Sequence, residues 1–233
     1  MTSYTDTVFA PIDHDLALER VAGGNETEVY RSDDGRYVAK LKCELGGRRD
    51  EALAQAREMR HAAETFAACL GPRYAIPSHY LLARESSGRV QVLVLQPYLR
   101  DAHPLSSVDY GAMTPAERQR LGRHLLAVIR RAAAMYRETG AMPDLYGRTS
   151  ASKEERRRNR SLLNLPQRIW SFLVERTLLR SHNLMLTRDA ARPVALVDYD
   201  FVRRGRLYRR TYFFARKILF YRDRLAIWVT LGV

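Results

Sequence analysis

The hydrophobic pattern of the chain changes period several times, and each change predicts an element. Residues 18–42, "LERVAGGNETEVYRSDDGRYVAKLK", read as three consecutive strands, with a Gly-Gly-Asn turn first and an Asp-Asp-Gly turn second. Centring the second hairpin on Asp34-Gly35 sets Val29 opposite Lys40, with both side chains on one face. Residues 50–70 switch to helical spacing, with Leu53, Ala56, Met59, Ala63, Phe66, Ala67 and Leu70 on one flank and a stop at Gly71-Pro72. Two more strands follow in "PSHYLLARE" and "RVQVLVLQPYL". Residues 114–140 form a long amphipathic pattern, with Thr114 as N-cap, Pro115 in the first turn and Gly140 as the stop.

Toward the C-terminus, "HNLML" (182–186) and "PVALVDYD" (193–200) predict a hairpin around the turn signal "TRDAAR". With residues 188–193 as its loop, Asn183 falls opposite Asp198, close enough for an amide oxygen and a carboxylate to reach one hard cation such as Mg²⁺. The same two residues also read as a turn cap and a strand end. The final stretch, "RRGRLYRRTYFFARKILFYRDRLAIWVTLGV", reads as one or two basic, aromatic-rich helices.

A chain of 233 residues, 46% hydrophobic and 28% charged, suffices for one large domain or two small lobes. Acidic residues and the lack of a long apolar run near the N-terminus predict no signal peptide, and "LAIWVTLGV" is far short of the roughly 20 residues of a spanning helix. The two cysteines, Cys43 and Cys69, form neither a disulfide framework nor a CxxC metal signature, so a reducing, cytoplasmic setting is expected. Charge changes this picture most. The net +13 is concentrated in residues 148–181, with nine Lys/Arg against three Glu, and in 203–224, with nine against one Asp. Such localisation favours an anionic partner, whether substrate, nucleic acid or the inner face of a membrane, and a solvated basic face is the plainer reading. Arginines interleaved with Tyr, Phe and Trp in the second segment suit a membrane interface, or alternatively a core into which the aromatics pack.

Several of these segments, in order, resemble the protein-kinase-like superfamily. "AGGNETEVY" followed by "YVAKLK" is similar to its glycine-rich loop and third-strand lysine, G-x-G-x-x-G-x-V and V-A-x-K; aligned on Val29, Gly24 is the middle glycine, while Ala22 and Thr27 replace the outer two. "MPDL" resembles the H-x-D-L of the catalytic loop, with Met142 in place of His and Thr149 where the family has Asn. Residues 148–181 then read as a basic insertion, after which "SHNLML" and "LVDYD" resume the pattern. The resemblance implies an α+β, two-lobed fold: an antiparallel-sheet lobe over 1–99 and a reduced, mainly helical lobe over 100–233. It implies ATP and Mg²⁺ as cofactors, with Gly23, Gly24 and Lys40 on the phosphates, Val29 beside the nucleotide and Gln96 opening the segment that meets the adenine edge. Glu64, with Glu58 as competitor, would pair with Lys40. Asp144 would act on an acceptor hydroxyl, Asn183 and Asp198 would hold the metal, and Asp200 would support them. The implied activity is γ-phosphoryl transfer, and the small C-terminal part points to a small molecule, sugar or lipid-linked sugar as acceptor. The departures from the motifs imply an alternative, a kinase-like fold that binds nucleotide or a partner without turnover.

Overall fold

The computed structural model describes residues 18–23, 28–84, 88–147, 176–199 and 206–233. Gly24, Asp200 and most of the 148–181 segment therefore lie outside the described residues. The chain is α+β, with two antiparallel sheets and, among the described residues, three α-helices.

Strands β1 (Leu18–Gly23), β2 (Glu28–Ser32), β3 (Tyr37–Gly47), β4 (His79–Arg84) and β5 (Val90–Pro97) form one sheet in the order β1-β2-β3-β5-β4. Val29 pairs with Lys40, the register that the Asp34-Gly35 turn dictates. Gly35 has φ +63°, and the Ser32 hydroxyl accepts from the Arg36 and Tyr37 amides, so the turn is held by its own polar residues. Strand β3 runs five residues beyond the expected end at Lys42, through an irregularity between Lys42 and Gly46.

Helix α1 (Arg49–Leu70) belongs to two cores at once. Its N-terminal half sets Ala56 and Met59 against Val92 and Val94 of the sheet. Its C-terminal half adds Ala63, Phe66 and Leu70 to a larger core. The helix ends at Gly71, with φ +77°, where a Cβ would lie 2.6 Å from the Arg131 guanidinium. That guanidinium donates to the Leu70 carbonyl at 2.7 Å, satisfying one of the last orphan acceptors of the helix.

A two-residue strand, β6 (His103–Pro104), leads into α2 (Pro115–Thr139). Thr114 and Glu117 form a reciprocal capping box, and Gly140 ends the helix in the left-handed conformation, as the sequence pattern predicts. The other face of the larger core comes from α3 (Arg206–Leu231), which buries Phe213, Phe220, Ile227 and Leu231. Fully burying each such side chain is worth about 1.5–3 kcal/mol.

Strands β7 (Leu184–Leu186) and β8 (Val194–Leu196) form the expected hairpin and pair with β6 in a second sheet. Its register differs by one residue from expectation. Leu184 pairs with Leu196, and the Thr187 amide donates to the Pro193 carbonyl at 3.0 Å, so Asn183 opposes Val197 rather than Asp198. The cause is local. Asp189 accepts from the Ala191 amide, and the Thr187 hydroxyl accepts from Asp189, curling the loop tightly enough for Pro193 to join the ladder through its carbonyl alone.

Candidate functional site

The loop after α2 is built around buried residues on either side of one half-buried carboxylate. Met142, Leu145 and Tyr146 are buried, and Asp144 between them stays half-buried, its carboxylate accepting from the Tyr146 amide at 3.1 Å. Three consecutive carbonyls of this loop are then claimed by the segment that precedes β7. Asp144 O accepts from the Asn183 amide nitrogen at 2.8 Å, Leu145 O from the Ser181 hydroxyl at 2.5 Å, and Tyr146 O from the His182 backbone amide at 3.0 Å. Ser181 is fully buried, and its oxygen also accepts from the Asn183 and Leu184 amides. Gly147, with φ +76°, completes the join: a Cβ there would lie 2.6 Å from Asn183 Oδ1. Asp144 and Asn183 are thus neighbours, although 38 residues separate them in sequence.

Helix α3 anchors this loop from beneath. The Tyr146 hydroxyl donates to the buried Asp223 carboxylate through a very short contact. Arg222 donates to Asp223 at 2.8 Å and to the Arg176 carbonyl at 2.7 Å. The Arg216 guanidinium lies 3.9 Å from the Tyr146 ring centroid, and Phe220 stacks on the same ring. Burial, then the Asp223 charge, holds the Tyr146 phenol well above its ordinary pKa, so it remains a donor. Sequence reasoning missed this anchor. Its signal was Asp223 itself, the lone carboxylate among nine Lys/Arg in residues 203–224.

The strand lysines approach the same hairpin from the sheet. Lys40 donates to the Val197 carbonyl at 2.7 Å, and Gln96, buried on β5, donates to that carbonyl at 3.1 Å and to the Ser78 hydroxyl at 2.8 Å. Lys42, two residues on and so on the same face of β3, reaches within 3.9 Å of Asp198 and is buried. It too was missed, although strand alternation from Lys40 marks it. Tyr199 then ties the exit of the hairpin to residue 76. Its hydroxyl accepts from the Ile76 amide at 2.6 Å and lies 3.2 Å from the Ile76 carbonyl, and burial pushes its pKa up to about 12.

Two expectations need correction here. Glu64 does not pair with Lys40: it sits on the exposed face of α1 and binds Arg60 one turn away, at 2.7 Å. Glu58 is exposed as well. The reason is helical phase, since Ala56, Met59 and Ala63 occupy the buried flank and Glu64 falls outside it. The polar side chain that does reach inward is Gln55, whose Oε1 is buried without a hydrogen-bond donor. The opposition of Asn183 and Asp198 across the hairpin also fails, by the one-residue slip described above. Of the glycine turn, Gly23 closes β1 opposite Glu28, and Gly24 lies outside the described residues.

The donor chemistry around the loop suits a hard cation. Donation from the Asn183 amide nitrogen to Asp144 O leaves Oδ1, which lies against Gly147, as an acceptor that takes no hydrogen bond from a described residue. Asp198 adds a carboxylate whose side chain is 35% exposed. Two protein oxygens of this kind, completed by water or phosphate, match the habits of Mg²⁺. Among the described residues no group of three or more His, Cys, Asp or Glu gathers into a metal site. A separate cavity of about 440 Å³ opens between Gly35–Tyr37, Pro97–Arg100, Thr187 and Asp189, and none of Lys40, Lys42, Asp144, Asn183 or Asp198 lines it.

No known family model matches the chain, and no curated protein matches it. Among solved structures, a MAP kinase from Leishmania major matches with 11% identity and a TM-score of 0.40, over 80% of this chain and 46% of its own. The chain thus spans about half the length of that kinase. The arrangement itself is α+β, two antiparallel sheets with, among the described residues, three α-helices.

Proposed function

We propose that this chain is a phosphotransferase of kinase-like fold that takes the γ-phosphoryl group of ATP, with Mg²⁺, to a hydroxyl acceptor. The observation that supports this reading is the lacing of carbonyls 144–146 to residues 181–183, which sets Asp144 beside Asn183 at the mouth of the hairpin ending in Asp198. When bound, Mg-ATP supplies the transferable group and neutralises charge on its oxygens. The chain supplies position. Asn183 Oδ1 and the Asp198 carboxylate hold the cation, and Lys42 orients Asp198 from the sheet. Lys40 exchanges the Val197 carbonyl for phosphate oxygens, while Gln96 stays on that carbonyl. Gly23, at the end of β1, and Val29 cover the nucleotide. Asp144, fixed at its own carbonyl and through the Tyr146 amide, keeps a carboxylate oxygen for the acceptor hydroxyl and takes its proton.

Titration with ATP and Mg²⁺, followed by radiolabelled γ-phosphoryl transfer to water and to a panel of polyols, tests this reading. Asp198→Ala abolishes Mg²⁺-dependent ATP binding; Asp144→Ala keeps binding and lowers transfer by about 10²–10⁴-fold. Absence of Mg²⁺-dependent ATP binding in the wild type sinks the proposal. Binding with no transfer to any acceptor or water favours the second reading, a nucleotide-binding protein without turnover, for which the engagement of Lys40 by the Val197 carbonyl already speaks.

A further inference from the structure

Helix α3 buries one flank and leaves the other bare. Phe214, Ile218, Tyr221, Leu225 and Trp228 recur at alternating steps of four and three residues and are 52–65% exposed, with Val229 beside them at 69%. The stripe is about 21 Å long at the rise of an α-helix. Isolated exposed apolar side chains are ordinary, but a continuous line of six on one helix is a docking surface. Its flanks are cationic. Arg210 and Arg224 are exposed and Lys217 is half-buried, and none of the three pairs with a carboxylate of a described residue. The acidic residue of this helix, Asp223, is buried on the opposite side beneath Tyr146.

Spacing of this kind is also that of a helix pairing with a second copy of itself, and charge decides against it. If the stripe were the seam, Lys217 and Arg224, seven residues apart, would occupy equivalent positions along one flank and Arg222 would lie on the other. An antiparallel second copy then brings Lys217 and Arg224 against their own counterparts, cation against cation, and a parallel one sets them against Arg222, whose charge Asp223 already takes, so neither orientation offers the opposite charges that such helices pair. The surface calls for an occupant that is apolar in depth and anionic at its rim. An acyl layer beneath acidic headgroups has that profile, and Trp and Tyr among aliphatic side chains, flanked by Lys and Arg, are the residues that settle at such a boundary. No described helix is long and apolar enough to cross a membrane, so contact is in the plane of the surface.

We infer that the 214–229 face of α3 docks the protein onto an anionic lipid bilayer, with its apolar stripe at the headgroup–acyl boundary and Arg210, Lys217 and Arg224 on acidic headgroups. This is independent of the phosphotransferase reading. Co-sedimentation of the full chain with vesicles of phosphatidylcholine alone, or with about 30% phosphatidylglycerol, tests it, alongside light scattering of the free protein. The expected result is binding to the acidic vesicles, at least about tenfold weaker on neutral ones or at high salt. Lys217→Gln with Arg224→Gln weakens it by roughly 30-fold. Ile218→Gln with Leu225→Gln also releases the protein from vesicles, while its thermal midpoint stays within a few degrees of wild type. Equal binding to neutral vesicles, no binding to either, or a dimer that the Ile218→Gln, Leu225→Gln variant converts to monomer would overturn the inference.

Discussion

Ser181 shows how much one small side chain can hold. Its hydroxyl donates to Leu145 and accepts from two amides, all at a fully buried position that joins the two sides of the candidate site. Ser181→Ala strands these groups without partners, so urea unfolding should lose about 3 kcal/mol; a loss under about 1 kcal/mol means that the two segments are held some other way. Tyr199 makes a different prediction, one of pH. Its folded pKa of about 12 lies above the ordinary tyrosine value near 10. The folded state therefore holds this proton more tightly, and the stabilisation is complete below about pH 10 and lost as pH rises toward 12. In Tyr199→Phe that part of the alkaline loss disappears, which denaturation midpoints between neutral pH and pH 12 will show.

Elements were legible where local chemistry alone decides them. The capping box at Thr114 and the Gly140 stop bracket α2 as the sequence predicts, and the Asp34-Gly35 turn sets the pairing of Val29 with Lys40. Elements whose details depend on the partner surface were not. On α1 the inward flank was read correctly from Ala56 to Leu70, but Glu64 was placed beside it when its phase carries it to the exposed face, and the β7–β8 register slipped because Thr187 and Asp189 tightened the loop. Within the site, Asp144, Asn183, Lys40 and Asp198 were visible as residue types at suggestive places and Lys42 was within reach of strand alternation, whereas Ser181 and Tyr146 act through contacts that no spacing rule states. Helix α3 is the clearest case. Asp223 there serves the loop after α2, 77 residues away in sequence. Asp223→Ala leaves Tyr146 and Arg222 facing a buried void and should cost about 3 kcal/mol, whereas Tyr146→Phe, which leaves Asp223 on Arg222, should cost less than half of that. Equal costs in a denaturant series would refute the anchor.

At the scale of the molecule, the basic segment leaves and re-enters at one place. Gly147 packs on Asn183, and the Arg176 carbonyl is held by Arg222, which also holds the Asp223 that Tyr146 binds. Replacing residues 148–175 by a short Gly/Ser linker should accordingly preserve cooperative unfolding, because closing a short loop between neighbouring ends costs little. Circular dichroism with urea titration reads the outcome, and a non-cooperative transition would show that the segment is part of the core.

The double membership of α1 has a kinetic consequence. The patch it shares with the sheet joins four buried side chains, while its other end is embedded in a core that also takes in α2, α3 and both strands of the hairpin. The weaker seam opens first. Amide exchange should reveal a partly open form in which β1 to β5 exchange early while the last turns of α1 stay as protected as α2. In that form the helix remains where it was, a standing rail onto which the sheet recloses, so each opening ends in the same alignment of Lys40 and Lys42 over Val197 and Asp198.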